Sequence, residues 1–443
     1  MKWNPESWKN FSAKQQPAYK NQNHLNEILK KIKGFPPLVS IGGIELLKKQ
    51  ITQSSLGNSF ILQGGDCAER FIDCNEPAIL NKIKILLQMS VILTYGARKP
   101  VVRIGRIAGQ YAKPRSNDYE IIDGKEVPVY RGDCVNDYDH INGSREPDPE
   151  KLLHSFNHSV ITLNYIRAII SGGFADLHHP HFWDLADMKR TTQWKRYENT
   201  IERILDAISF MESFGGLRDE TLGKVDFYTS HEGLLLDYEE ALTRKSNENG
   251  KYYNRGAHML WIGERTRGIN DAHVEYFRGI ENPIGIKMSS TMDPHEITDL
   301  ISYLNPQNSE GKIVLITRFG ASKVEESLPT LVRAVDKSNL KVAWSCDPMH
   351  GNITKTSDGQ KTRNFNNILD ELRTTFAVHK SEKSILSGVH FELTGDDITE
   401  CIGGAVDVKD IDLAQRYETY CDPRLNYSQS LEMAFLISEL LNS

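Results

Sequence analysis

Eight times along this chain a short apolar run is followed directly by a polar cluster. Phe60–Leu62 precedes QGGDC, Val101–Ile104 precedes GRIAG, and Val225–Tyr228 precedes TSHEG. Met259–Ile262 leads into GERTR, Ile284–Ile286 into KMSS, and Ile313–Ile316 into TRFG. Val342–Trp344 precedes SCDPMHGN, and Val389–Phe391 precedes ELTGDD. Runs this short and rich in β-branched residues suit strands buried on both faces, as in a parallel sheet.

Between the runs lie stretches with helical spacing. Pro77–Thr94, Val324–Val335, Phe365–Val378 and Ser428–Leu441 are of this kind, and Asp293–Tyr303 opens on DPHE, an N-cap followed by an acidic first turn. Eight strands alternating with helices predict an α/β fold, a (β/α)8 barrel. Each run taken alone also fits a buried helix segment; eight runs with polar clusters on the same side favour the barrel. Residues 1–55 precede the first strand and are expected to form an N-terminal helical extension to a barrel spanning 56–443. Residues 117–222 exceed one crossover, so a loop and extra helices near Leu152–Ile170 and Tyr197–Phe214 are expected there. A chain of 443 residues is thus one decorated barrel rather than two or three small domains.

Formal net charge is -6, which argues against a surface built to coat nucleic acid or an anionic membrane. By itself it gives no hint of an anionic ligand. Six scattered cysteines without a CxxC pair, a polar N-terminus and no stretch nearing about 20 apolar residues suggest a cytoplasmic enzyme with reduced thiols.

In a barrel, residues just beyond the strands converge on one face. Two sets stand there. Cys67, His350, Glu392 and Asp422 offer a thiolate, an imidazole and two carboxylates, a donor set suited to Mn, Co, Fe or Zn rather than Mg. No zinc-finger or HExxH spacing accompanies them: SHEGL (Ser230–Leu234) lacks the second histidine. A lone cysteine or histidine is more often a packed or hydrogen-bonded core residue, and these four stay open to that reading.

The second set is cationic: Arg103, Arg106, Lys113, Arg115, Arg265, Arg267, Lys287, Arg318, Lys361 and Arg363. Runs such as Lys30–Lys33 read as solvated surface. Lys287 and Arg318 follow apolar strands directly, where an unpartnered charge would be costly. Such cations predict a small, multiply charged anion, of which a sugar phosphate is an example. RIGRIAG fails the dinucleotide spacing.

LQGGDCAE (Leu62–Glu69), RIAGQYAKPRS (Arg106–Ser116), YRGD (Tyr130–Asp133), SHEGLLLDYE (Ser230–Glu239) and WIGERTR (Trp261–Arg267) form a distinctive series. CDPMHGN (Cys346–Asn352), KTR (Lys361–Arg363), ELTG (Glu392–Gly395), TECIGGA (Thr399–Ala405) and YETYCDPRLN (Tyr417–Asn426) extend it. Together they resemble the class II 3-deoxy-D-arabino-heptulosonate 7-phosphate synthases from about Phe60 to the C-terminus; residues 1–55 match less distinctly. The resemblance implies the first step of the shikimate pathway toward chorismate and the aromatic amino acids. C3 of phosphoenolpyruvate attacks the aldehyde of erythrose 4-phosphate, water adds at C2, and phosphate leaves.

By the same resemblance Cys67, His350, Glu392 and Asp422 are metal ligands. The expected ion is Mn2+ or Co2+, with Zn2+ and Fe2+ as alternatives. Arg106, Glu264, Arg265, Lys287 and Arg318 form the phosphoenolpyruvate site, with Arg106 and Lys287 near the carboxylate and Arg265 and Arg318 on the phosphate. Lys113, Arg115, Ser116 and Lys361 hold erythrose 4-phosphate. Glu232 lies at the same mouth, where it could handle a proton or order water; Arg106, Lys287 and Glu232 are the candidate catalytic set. For Glu232 and Glu264 a salt bridge to neighbouring arginines is the competing role.

Competing functions are condensation with another aldose phosphate, a silent regulatory subunit, and a metal-dependent hydrolase. Cys421 precedes Asp422, so it is expected near Cys67, where oxidation could join the thiols. Homo-oligomers, association with chorismate mutase and feedback inhibition by aromatic amino acids occur in the family and are not readable from these residues.

Overall fold

The computed structural model describes residues 2–141, 143–172 and 226–442, with 195, 196, 198, 199, 201–203 and 206 between them. Eight parallel strands close into a barrel: β1 Phe60–Gly65, β2 Val101–Arg106, β3 Tyr228–Glu232, β4 Met259–Ile262, β5 Ile284–Met288, β6 Ile313–Thr317, β7 Ala343–Cys346 and β8 Leu386–Glu392. Each pairs with its sequence neighbours, and β8 closes on β1 in the register Gly65 to Glu392. The fold is the expected (β/α)8 barrel.

Several strands run further than their apolar cores. Arg106, Glu232 and Lys287 are strand residues rather than loop residues, and Glu392 ends the eighth strand, where it was expected. Strand three begins at Tyr228; Val225 of the expected run lies outside the described residues. Parity explains the arrangement, because successive side chains in a strand face opposite ways. Val102 and Ile104 of β2 point into the barrel with Ile61, Tyr228, Met259, Trp261, Val314, Ile316 and Ala343. The next inward residue of β2 is Arg106. The same two-residue step sets Glu232 above Tyr228 and Ser230. The apolar floor and the polar mouth are therefore successive layers of the same strands.

That parity corrects one expectation. Arg103 faces outward, where its Nε donates to Ser90 Oγ at 2.7 Å and its Nη1 to Val101 O. Burial there pushes its guanidinium down to about 10.

The helices described are α1 Gln22–Gly34, α2 Ile41–Ser55, α3 Glu76–Ala97, α4 Glu150–Ser171, α5 Leu236–Leu242, α6 Ala272–Arg278, α7 Pro294–Leu304, α8 Val324–Lys337, α9 Phe365–Ser381 and α10 Tyr427–Leu440. Asp293 caps α7 through the amides of His295 and Glu296, as DPHE predicts. The expected helix at Tyr197–Phe214 falls largely outside the described residues. α3 is, contrary to expectation, long and apolar enough to cross a membrane by length and composition; 72% of that stretch is buried against the barrel and α10.

α2 lies across the N-terminal end of the strands. Its Leu47 and Ile51 join the interior cluster, and Lys48, Gln50 and Ser54 bond to residues just ahead of strands, namely Glu281, Asp226 and Ser59. The floor is thereby plugged, and the opposite end is left for chemistry. Residues after β2 form a hairpin, Tyr119–Ile122 with Lys125–Pro128, where only a loop is expected. Asp123 and Gly124 take positive φ (51° and 74°), the Asp-Gly turn that favours tight hairpins. Its strands are half exposed and carry no apolar run, so patterning cannot reveal them.

Candidate active site

A cavity of about 520 Å³ opens at the C-terminal end of the barrel. All fourteen site residues expected from the sequence line it: Cys67, Arg106, Lys113, Arg115, Ser116, Glu232, Glu264, Arg265, Lys287, Arg318, His350, Lys361, Glu392 and Asp422. They come from the ends of different strands and from loops widely separated in sequence.

Among the described residues, donor atoms of Cys67, Glu392 and Asp422 all lie within 4.8 Å of one another. His350 joins them through Nε2, 3.0 Å from Glu392 Oε1. On its other side Nδ1 meets Asp347 Oδ2 at 2.7 Å, the carboxylate–imidazole pairing that commonly orients a ligating histidine. A cationic group already stands between two of the donors. Lys113 Nζ lies 2.7 Å from Cys67 Sγ and 2.5 Å from Asp422 Oδ2. Lys361 holds the other oxygen of Asp422 at 2.8 Å. Soft and hard donors converging where an ammonium is stabilised fit a divalent transition ion.

The electrostatics have identifiable causes. Burial raises the Cys67 thiol well above its ordinary value, and Lys113 opposes that shift. Burial also works against ionisation of Glu392, yet His350, Arg363 and Arg106 outweigh it and hold the carboxylate well below the usual range. Burial raises Glu232, with Lys287 and Lys113 pulling the other way. Burial lowers Lys287, partly offset by Asp347 at 2.7 Å.

The cations differ in how they are held. Arg106 donates to Asp66 O, Cys67 O, Glu392 Oε1 and His390 Nε2, so its plane is fixed from several sides. It also lies over Trp261 at 5.2 Å, as Lys287 does at 5.8 Å. One indole ring thus lies close to two like charges. Arg265 Nη2 reaches Ser116 Oγ at 3.0 Å. Arg318 Nη2 donates to His350 O at 3.1 Å.

Glu264 takes the salt-bridge role, pairing with Arg267 at 3.1 Å and accepting from Ser289 Oγ at 2.8 Å. Arg267, also bonded to Glu296 at 2.6 Å, does not line the cavity, which corrects its place in the cationic set. Arg363 is a second correction: fully buried, it lies behind Glu392, 2.7 Å from Oε2, and donates to Pro423 O. Among the described residues, Glu232 Oε1 is buried without a hydrogen-bond partner. A Cβ on Gly263 would fall 2.1 Å from that oxygen, so only glycine leaves the carboxyl room.

Sequence reasoning misses several supporting residues. Gln110 accepts from Glu232 N at 2.8 Å and donates to Cys67 O at 3.3 Å, joining two parts of the cavity. Asp347 and His390 sit at inward positions beside expected residues, and the two-residue strand period was the available signal. Gln15 was out of reach: its side chain exchanges bonds of 2.9 and 2.8 Å with the backbone of Arg115, 100 residues away. Cys67 and Cys421, both free thiols, share a buried cluster with Tyr130.

Residues 3–438 match the model of the Class-II DAHP synthetase family. The chain belongs to that family. The match extends through the N-terminal segment, well beyond the start at Phe60 that the motifs mark. Curated members named phospho-2-dehydro-3-deoxyheptonate aldolase are similar throughout. The Neurospora crassa protein is 47% identical over 99% of this chain and 94% of its own length. Those of Streptomyces coelicolor and Mycolicibacterium smegmatis are 46% and 43% identical, over 98% and 97% of this chain and 96% and 92% of their own lengths. Proteins of that name from three organisms thus share nearly the full span of this sequence.

Proposed function

We propose that this chain condenses phosphoenolpyruvate with D-erythrose 4-phosphate and water, giving 3-deoxy-D-arabino-heptulosonate 7-phosphate and phosphate. The observation that carries the reading is the convergence of fourteen residues, named from separate motifs, on one cavity at the barrel mouth. Family membership supports it independently.

In this reading Arg106 and Lys287 receive the carboxylate of phosphoenolpyruvate, and Arg265 and Arg318 its phosphate. Lys113, Arg115, Ser116 and Lys361 hold the aldose phosphate. Arg265 and Ser116, bonded to each other, mark where the two substrate sites meet. Cations on both sides let two mutually repelling anions be held in a reactive orientation. Cys67, His350, Glu392 and Asp422 would hold a divalent ion, Mn2+ or Co2+ before Zn2+ or Fe2+, which supplies Lewis acidity at the aldose aldehyde.

The chain's own residues supply the proton handling. Glu232 takes a proton from the water that adds at C2, a role its burial and an oxygen unpartnered among the described residues support. Lys287, a cavity residue whose charge burial disfavours, passes a proton to an oxygen developing charge nearby. New C–C and C–O bonds form at C3 and C2, and cleavage of the C2–O bond releases phosphate.

The same reading treats residues 1–55 as an N-terminal helical extension and 117–222 as an insertion. It also carries a cytoplasmic homo-oligomer and association with a chorismate mutase, supported by family resemblance alone.

The test is turnover by the metal-reconstituted protein. Phosphoenolpyruvate, erythrose 4-phosphate and released phosphate should change in equal amounts, and chelation should abolish the reaction. Phosphoenolpyruvate hydrolysis without aldose, or faster use of a five-carbon aldose phosphate, would overturn the assignment.

A further inference from the structure

Glu371 brings a carboxyl group to a place where helix packing alone gives no reason for one. It lies on the core face of α9, fully buried, and does not line the cavity. One oxygen accepts from Phe319 N at 2.8 Å, the other from Asn352 Nδ2 at 2.7 Å. Asn352 in turn accepts from Ala321 N at 3.0 Å and donates to Pro348 O at 2.8 Å.

These contacts join two loops. Phe319 and Ala321 flank Gly320, immediately beyond Arg318 after β6. Asn352 lies two residues beyond His350 after β7. The loops touch closely: a Cβ on Gly351 would fall 2.3 Å from Gly320 N. Arg318 completes the seam by donating to His350 O.

Burying a carboxyl group is costly, and an apolar residue would serve helix packing better. What the carboxyl provides is two directed acceptors, one for each loop. We infer that Glu371 is a positioning residue, fixing the loop that presents Arg318 against the loop that presents His350. It acts through Arg318 on the phosphate of phosphoenolpyruvate, and so rests on the function proposed above.

Glu371→Gln keeps the volume but turns one acceptor into a donor, which then faces an N–H group. The measurement is calorimetric titration of phosphoenolpyruvate into manganese-loaded protein without aldose, followed by KM for each substrate. The dissociation constant and KM for phosphoenolpyruvate should rise about tenfold, equivalent to about 1.4 kcal/mol. KM for erythrose 4-phosphate should stay within about twofold, since Lys113, Arg115 and Lys361 sit on other loops.

A purely structural role predicts lower kcat from less folded protein, with no separation of the substrates. Folded Glu371→Gln protein with unchanged phosphoenolpyruvate affinity, or with both KM values raised alike, would overturn the inference. Should that variant fail to fold, Asn352→Ala opens the same tie from the other side. It is expected to give the same selective shift, and unchanged affinity there also overturns the inference. Wild-type protein that neither binds phosphoenolpyruvate nor turns it over would instead remove the proposed function.

Discussion

The ammonium of Lys113 stands 2.7 Å from the sulfur of Cys67, a lysine proposed to hold substrate against a thiol proposed to hold metal. The two roles overlap in space, and a cation entering the donor group must displace the lysine from Cys67 and Asp422. Lys113→Met should therefore bind Co2+ more tightly, seen as thiolate-to-cobalt absorption at lower metal concentration. KM for erythrose 4-phosphate should rise by about tenfold or more with loss of a charged contact. Weaker cobalt binding would show that Lys113 supports the donors rather than competing for them.

Gly263 packs against Glu232 so closely that a methyl group has no room. Gly263→Ala should displace the carboxyl and lower kcat by about 100-fold, the scale of a lost general base. Glu232→Gln should lower it by a similar factor, and the double variant should be no worse than either. Multiplying effects would place the two residues in separate roles.

Arg363 is fully buried beside Glu392. Arg363→Met should destabilise the fold by about 3 kcal/mol, because it leaves a buried carboxylate with fewer compensating charges. Chemical denaturation would measure this, and a midpoint equal to wild type would contradict it.

Acid should weaken the fold through buried histidines remote from the donor group. Burial lowers His379 to about 4, and burial with Arg167 nearby lowers His258 to about 3, from an ordinary 6.5. The folded chain favours their neutral forms, so on acidification the unfolded chain takes up protons first. Stability from these groups is complete above pH 6.5 and is lost as pH falls toward 4, by about 3 kcal/mol per group. His379→Phe should give a shallower decline over that range in denaturation measured across pH. An identical slope would assign the acid sensitivity elsewhere.

Cys67 and Cys421 are free thiols within one buried cluster. Peroxide treatment of metal-free protein should prevent the recovery of activity on adding Mn2+, reduction should restore it, and Cys421→Ser should resist that reversible loss. Equal inactivation of that variant would count against a disulfide between them.

The eight strands were legible because β-branched apolar runs recur with polar clusters on one side. Their ends were not, since Arg106 and Lys287 look like loop residues until strand parity is applied. Parity also separates Arg103 from Arg106, three residues apart and on opposite faces of β2. Arg267 and Arg363 matched the motifs as well as their neighbours did, but charge alone cannot tell a group that faces a ligand from one that holds a carboxylate.

The order of strands, the barrel and the residue types at its mouth follow from local patterning, which the chain carries residue by residue. The tertiary structure alone decided which charges meet. Lys113 against Cys67, Gln15 against Arg115 and Glu371 between two loops join residues 46, 100 and 19 or more positions apart. Such pairings depend on barrel closure, which brings distant strand ends within hydrogen-bond reach and leaves no periodic trace in the sequence.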